Sequence, residues 1–63
     1  MELVQVEYET IIQESSDAAV FLIGGNEVLI SKDSMDRYDY EGRIWMRVEV
    51  AVKMGLNYLV VFG

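Results

Sequence analysis

The sequence predicts an α+β fold: a small antiparallel sheet of about five strands, with one short helix before the last strand. Three observations support this. The chain has 63 residues, a length that predicts a single domain over residues 1–63. Hydrophobic residues make up 52% and charged residues 25% of it, a composition typical of a folded chain. Short apolar segments are separated by polar or glycine-containing segments, which favours strands joined by turns.

The first predicted strand has one buried and one exposed face. Its apolar residues Val4, Val6 and Tyr8 alternate with Gln5, Glu7 and Glu9, and Ile11 and Ile12 prolong it. A polar segment over residues 13–17 ends this strand. The apolar run Ala18–Ile23 that follows predicts a central strand covered on both faces.

A hairpin is predicted next, because Gly24, Gly25 and Asn26 tolerate the positive φ angles of a tight turn. The returning strand is predicted over residues 27–31. The charged segment Lys32–Gly42 then predicts a surface loop, with one helical turn around Ser34 and Met35. Such a loop is long for a connection in a small domain, which makes it a candidate for function.

The segment Arg43–Leu56 fits either a strand or a helix, since its apolar residues satisfy both periods. We divide it into a strand over residues 43–46 and a helix to Met54, with Gly55 at the position that ends a helix. The apolar segment Asn57–Gly63 predicts a last strand. That strand should be internal or paired across a subunit interface, because an exposed apolar edge invites aggregation.

The charge distribution bears on possible partners. The chain has 11 acidic and 5 basic residues and a net charge of −6, and no lysine or arginine precedes Lys32. This balance disfavours nucleic acid and anionic membranes as partners. No signal-peptide pattern or membrane-spanning apolar run is present, so a cytoplasmic location is expected, in a host cell if a phage encodes the protein.

The residues available for catalysis are few. The sequence has neither cysteine nor histidine, which excludes disulfides, thiolate or imidazole metal ligands, and histidine-based acid–base chemistry. The acidic residues of the loop do not have the spacing of an EF-hand, and the glycines of the hairpin lack the lysine of a phosphate-binding loop. We therefore predict no enzymatic activity, no catalytic residue, no metal and no cofactor.

An interaction surface is the remaining candidate. Arginine, tyrosine and tryptophan dominate binding hot spots, and the segment from Arg37 to Trp45 is rich in them. The predicted partner-binding residues are Glu7, Glu9, Arg37, Tyr38, Tyr40, Arg43 and Trp45. In the alternative, Trp45 and one tyrosine serve the core or self-association. We also expect a homo-oligomer, formed through the apolar segments Ala18–Ile23 and Tyr58–Phe62.

Residues 16–56 resemble a class of short, uncharacterised bacteriophage and prophage proteins. The resemblance rests on Ser16-Asp17-Ala18-Ala19-Val20, the glycine hairpin, the Ile30-Ser31-Lys32 strand end and the terminal Lys53-Met54-Gly55-Leu56. It implies a viral origin and a helix before Gly55. We then expect a small acidic viral protein that binds a host protein. Its expected function is to inhibit a host defence system, as anti-CRISPR proteins do. The first alternative is a structural or accessory component of phage replication, recombination or assembly, and the second is a small enzyme or ligand-binding module.

Overall fold

The computed structural model describes residues 2–60, which form strands, a single turn of 3₁₀ helix and a short α-helix. In chain order these are β1 (Leu3–Glu7), β2 (Thr10–Glu14), β3 (Ala18–Ile23), β4 (Asn26–Ser31), the 3₁₀ turn (Lys32–Ser34), β5 (Arg37–Tyr38), β6 (Arg43–Arg47), α1 (Val48–Lys53) and β7 (Leu59–Val60). Over these residues, the prediction of an α+β fold, with antiparallel strands and one short α-helix before the last strand, is confirmed.

The strands form two antiparallel sheets, with the orders β5-β6-β1-β7 and β2-β3-β4. The prediction of one five-stranded sheet is therefore wrong. The first predicted strand breaks at Tyr8 and Glu9, whose backbone N–H groups bond in different directions. Tyr8 donates to the carbonyl of Gly42 at 2.9 Å, beside β6, and Glu9 donates to Leu22 of β3 at 2.7 Å. The chain thus leaves one sheet and enters the other at these two residues.

Both sheets contribute to one hydrophobic core. β1 and β6 bury Val4, Val6, Ile44 and Met46, and the second sheet buries Phe21 together with Ala19 and Ile30. The ring of Phe21 meets the ring of Tyr8 edge to face, with 4.8 Å between the ring centres. Since burial is worth roughly 25 cal/mol per Å² of apolar surface, this shared core holds the two sheets together.

The predicted hairpin is confirmed. Ile23 and Asn26 are paired across the two-residue turn, in which Gly24 and Gly25 have positive φ angles. β3 is the central strand of its sheet, as expected. It is covered on one face only, however, because Ala18, Val20 and Leu22 alternate with its buried residues and stay half-exposed.

The division of residues 43–54 into strand and helix is also confirmed, with β6 ending at Arg47 and α1 beginning at Val48. Gly55 has a φ of 70° and donates to Val52, while Leu56 donates back to Ala51, which ends the helix. β7 lies at the edge of its sheet beside β1, so it is not internal. Residues 61–63 of the predicted strand lie outside the described part of the chain.

The loop after β4 contains more regular structure than expected. The 3₁₀ turn lies at Lys32–Ser34, earlier than the predicted position, because the Ser31 hydroxyl accepts a hydrogen bond from the Asp33 N–H and begins it there. Met35 is buried after the turn, and β5 then pairs with β6. Over residues 2–60, no helix is long and apolar enough to cross a membrane.

Candidate functional site

The outer face of the four-stranded sheet gathers three arginines around the tryptophan. Along β6, Ile44 and Met46 are buried, so Arg43, Trp45 and Arg47 lie on the opposite, outward face. Arg37 of β5 is paired with Trp45 across the strands and shares this face. We call Arg37, Arg43, Trp45 and Arg47 the arginine–tryptophan face.

The guanidinium groups of Arg37 and Arg43 lie over the indole ring. The central guanidinium carbon is 4.5 Å from the centre of the Trp45 ring for Arg37 and 5.7 Å for Arg43. Arg43 is also ion-paired, with its Nε 3.0 Å from Asp39 and its terminal nitrogen 3.0 Å from Glu41. Within residues 2–60, Arg37 and Arg47 form no ion pair. Their charges therefore remain available to a partner.

An open groove of about 550 Å³ adjoins this face. Gln5, which is paired with Trp45, lies on its wall, as does Leu59, which is paired with Gln5. The carboxylate-bearing residues of the wall are Glu7, Glu9 and Glu41, and Tyr8 and Tyr58 also line it. We call this the acidic groove. Its volume lies in the range of small-ligand sites, and its charge suits a basic group.

Five of the predicted partner-binding residues thus share one side of the molecule. Glu7 and Glu9 lie in the acidic groove, and Arg37, Arg43 and Trp45 lie on the arginine–tryptophan face. Glu7 of β1 is paired with Arg43 of β6, so the acidic and basic parts are adjacent. Sequence reasoning missed Arg47 and Glu41. The alternation of β6 contained the signal for Arg47, since it places residues 43, 45 and 47 on one face.

Tyr38 and Tyr40 are directed elsewhere. Tyr38 is paired with the buried Ile44, so its ring turns inward and meets Phe21 edge to face at 5.4 Å. Its hydroxyl donates a hydrogen bond to the carboxylate of Glu14. The Tyr40 hydroxyl donates to the same carboxylate at 2.8 Å, although 74% of Tyr40 is exposed. We call Glu14, Tyr38 and Tyr40 the tyrosine–glutamate cluster.

This cluster ties the end of β2 to the end of β5 and to the loop between β5 and β6. The two hydroxyl hydrogen bonds, from Tyr38 and from Tyr40, hold the pKa of Glu14 below its ordinary value. The hydrogen bond from Tyr38 to Glu14 raises the pKa of Tyr38, and the hydrogen bond from Tyr40 to Glu14 raises the pKa of Tyr40 to about 12. The Lys32 ammonium, 3.9 Å from Glu14, adds a weak attraction. We assign Tyr38 and Tyr40 to holding this loop in place.

Asp39 organises the turn that carries Arg43 and Glu41 to the candidate site. Its Oδ1 accepts from the backbone N–H groups of Glu41 and Arg43, each at 3.0 Å. Partial burial opposes ionisation of Asp39, but these bonds and the Arg43 charge outweigh it and lower the pKa. Sequence reasoning missed this role. Aspartate three residues before glycine, as in Asp39 and Gly42, is a β-turn signature that could have indicated it.

No protein-family model matches this sequence, and no curated protein or solved structure was found to be similar to it. The expected relation to phage proteins therefore stays a prediction. In the part of the chain from Glu2 to Val60, no three carboxylates converge as the ligands of a metal ion would. The geometry of the outward side chains is thus the basis for a functional proposal.

Proposed function

We propose that this chain is a non-enzymatic protein-binding domain, whose site combines the arginine–tryptophan face with the acidic groove. The observation that carries the proposal is the stacking of Arg37 on Trp45 on an outward sheet face, where Arg37 lacks a carboxylate partner within residues 2–60. A stacked guanidinium keeps its N–H groups free to bind a carboxylate. Tryptophan and arginine are also the residue types that contribute most at binding hot spots.

The charges of the site specify the partner. A basic side chain of the partner enters the acidic groove beside Glu7 and Glu9, and an acidic side chain meets Arg37. Glu41 also lines the groove, but its charge is offset by the ion pair with Arg43. The net charge of −6 steers a basic partner toward the protein and mainly raises the association rate. The contact with Trp45 excludes water and slows dissociation.

For the biological role, we propose a phage-encoded inhibitor of a host defence system, of the anti-CRISPR type. Two features support it: the resemblance of residues 16–56 to short phage proteins, and the concentration of carboxylates in one groove. An inhibitor that competes electrostatically for a basic surface needs such a concentration of negative charge. A phage assembly or replication component would bind phage proteins instead.

The binding test uses the purified full chain as bait in lysate of the bacterial host and in lysate of infected cells. A stoichiometric partner from uninfected lysate is then purified, and its dissociation is measured with each variant. We expect Trp45→Ala to dissociate roughly 30-fold faster, which corresponds to a hot-spot loss of about 2 kcal/mol. Glu7→Lys combined with Glu9→Lys should slow association, and this effect should shrink at high salt.

The matched control is Lys53→Ala, which removes an exposed charge on α1 that belongs neither to the arginine–tryptophan face nor to the acidic groove. Circular dichroism verifies that all variants fold. If Trp45→Ala and the double glutamate variant bind as tightly as Lys53→Ala, the proposed site is wrong. A partner present only in infected lysate contradicts the inhibitor role and indicates the accessory role.

The role itself is tested by expressing the chain in cells with and without a defence system that restricts phage. An inhibitor restores plaque formation in the defended cells, and the Trp45→Ala variant does so less. Equal plaque counts with and without the wild-type chain, across the defence systems of the host, contradict the inhibitor role.

A further inference from the structure

The sheet edges in the described part of the chain differ in how well they are protected. β5 has only two residues, and β7 is described only over Leu59–Val60. The ladder of β2 is interrupted by a bulge between Ile11 and Gln13, and Glu14 at its end is engaged by two tyrosines. β4 is six residues long, is regular, and contains neither proline nor lysine. A long regular edge without these features is a template for pairing with another strand.

The turn geometry identifies which groups of β4 point outward. In a hairpin with a two-residue turn, the residues that flank the turn exchange hydrogen bonds, and the bonding then alternates along the ladder. Asn26, Val28 and Ile30 therefore bond to β3, and the backbone groups of Glu27, Leu29 and Ser31 point to the open edge. Over residues 2–60, the backbone groups of Glu27 and Leu29 and the N–H of Ser31 bond to no other part of the backbone. The Ser31 carbonyl accepts the first hydrogen bond of the 3₁₀ turn, which leaves one of its two lone pairs for a partner strand.

We propose that two copies of this chain pair antiparallel through β4, with the twofold axis at Leu29. This register uses the N–H and C=O groups of all three outward residues in each copy. An axis at Val28 or Ile30 would leave one of the three without a strand partner. Pairing at Leu29 joins the two three-stranded sheets into one continuous sheet of six strands.

The side chains are self-complementary in this register. Leu29, which is 66% exposed, meets Leu29 of the second copy on the axis. Val20 is paired with Leu29 within each chain, so an apolar row of four side chains crosses the dimer. Glu27 lies opposite Ser31 of the second copy, whose hydroxyl can donate to the carboxylate. Like charges do not face one another in this arrangement.

This interface shares no residue with the proposed binding site, although Ile23 and Gly24, at the turn before β4, also line the acidic groove. The arginine–tryptophan face belongs to the four-stranded sheet, and β4 belongs to the other. A dimer through β4 thus contains two copies of the partner-binding site. This interface also differs from the one predicted from the sequence, which was expected to form through Ala18–Ile23 and Tyr58–Phe62.

Cysteine cross-linking tests the register directly, because the chain has no cysteine of its own. Directly opposed residues of a hydrogen-bonded pair have Cα atoms about 5.5 Å apart, which a disulfide can bridge. We expect Leu29→Cys to form a covalent dimer on mild oxidation. Glu27→Cys alone and Ser31→Cys alone should not, since four residues along a strand separate the two thiols by roughly 13 Å. A mixture of Glu27→Cys and Ser31→Cys chains should cross-link with one another.

The matched control is Val52→Cys, at a residue of α1 that is 61% exposed. It should cross-link no faster than free thiols at the same concentration. Cross-linking of Glu27→Cys with itself, as fast as that of Leu29→Cys, overturns the register. If Leu29→Cys alone does not cross-link, and the mixture of Glu27→Cys and Ser31→Cys chains does not cross-link either, the proposed interface is wrong.

Sedimentation equilibrium supplies the second measurement. The wild-type chain should approach twice its 7.2 kDa mass as its concentration rises. Leu29→Lys should stay at the monomer mass with unchanged circular dichroism, while Val52→Lys should behave as wild type. A wild-type chain that stays monomeric at millimolar concentration overturns the proposal, as does a Leu29→Lys variant that still dimerises. Neither outcome affects the test of the partner-binding site.

Discussion

Phe21→Ala should destabilise both sheets together, because Phe21 lies where they meet. Its side chain is fully buried and packs edge to face on Tyr8 and on Tyr38. Truncation of a buried phenylalanine to alanine costs about 3–5 kcal/mol. A domain of 63 residues has a total stability of only about 3–9 kcal/mol. The variant should therefore be marginally stable or unfolded at 25 °C.

Urea unfolding provides the assay, and the single tryptophan provides a probe in the other sheet. If unfolding depends on urea with a slope of about 1 kcal/mol per M, the midpoint should fall by about 3 M or more. Fluorescence of Trp45 and circular dichroism should change in one coincident transition. Val52→Ala, at an exposed helix position, is the control and should change stability by at most about 0.5 kcal/mol.

A midpoint that Phe21→Ala lowers by less than about 1 M would contradict the shared core, because the cavity would then cost too little. A tryptophan signal that keeps the wild-type midpoint while the backbone signal shifts would contradict it as well. That result would mean that the four-stranded sheet folds without the other sheet.

Two further predictions follow from the tyrosine–glutamate cluster and from the turn before β6. Because the folded-state pKa of Glu14 lies below its ordinary value of 4.5, its stabilising contribution is complete above about pH 4.5 and is lost as the pH falls through the lowered pKa. The difference in thermal midpoint between the wild type and Glu14→Gln should therefore shrink below pH 4.5, and a constant difference would contradict this assignment. Gly42→Ala should cost about 1–3 kcal/mol, because Gly42 has a φ of 110° and a Cβ there would lie 3.0 Å from the Tyr8 carbonyl oxygen. Gly24→Ala, with a φ of 58° and no neighbouring atom within 4 Å, should cost less by urea unfolding, and an equal or larger cost would contradict the role of the close contact.

Local patterns were enough to predict the hairpin and the transition from strand to helix. Gly24 and Gly25 specify a turn by their backbone freedom, and Gly55 specifies a helix end for the same reason. Such signals act over a few neighbouring residues and can be recognised in a single sequence. The alternation of Val4 and Val6 with Gln5 and Glu7 similarly indicated the buried face of β1.

The division into two sheets could not be predicted in this way. It depends on Tyr8 and Glu9, whose N–H groups bond to Gly42 and Leu22, and no local pattern indicates those distant partners. The tyrosine–glutamate cluster has the same origin, because 24 residues separate Glu14 from Tyr38. Because Tyr38, Tyr40 and Trp45 are close in the sequence, we expected them to share one surface. Strand alternation instead turned Tyr38 inward beside Ile44 and left Trp45 outward.

The strict alternation of β6 has a consequence for how this protein can change. Ile44 and Met46 maintain the core, while Arg43, Trp45 and Arg47 project from the other face of the same five-residue strand. Mutations at the outward positions can therefore accumulate with little effect on folding. If the proposed binding site is correct, changes at these positions alter which partner is bound and leave the stability of the fold unchanged. The same positions, together with Arg37 and Gln5, would form a natural site for a randomised library if the domain were used as a binding scaffold.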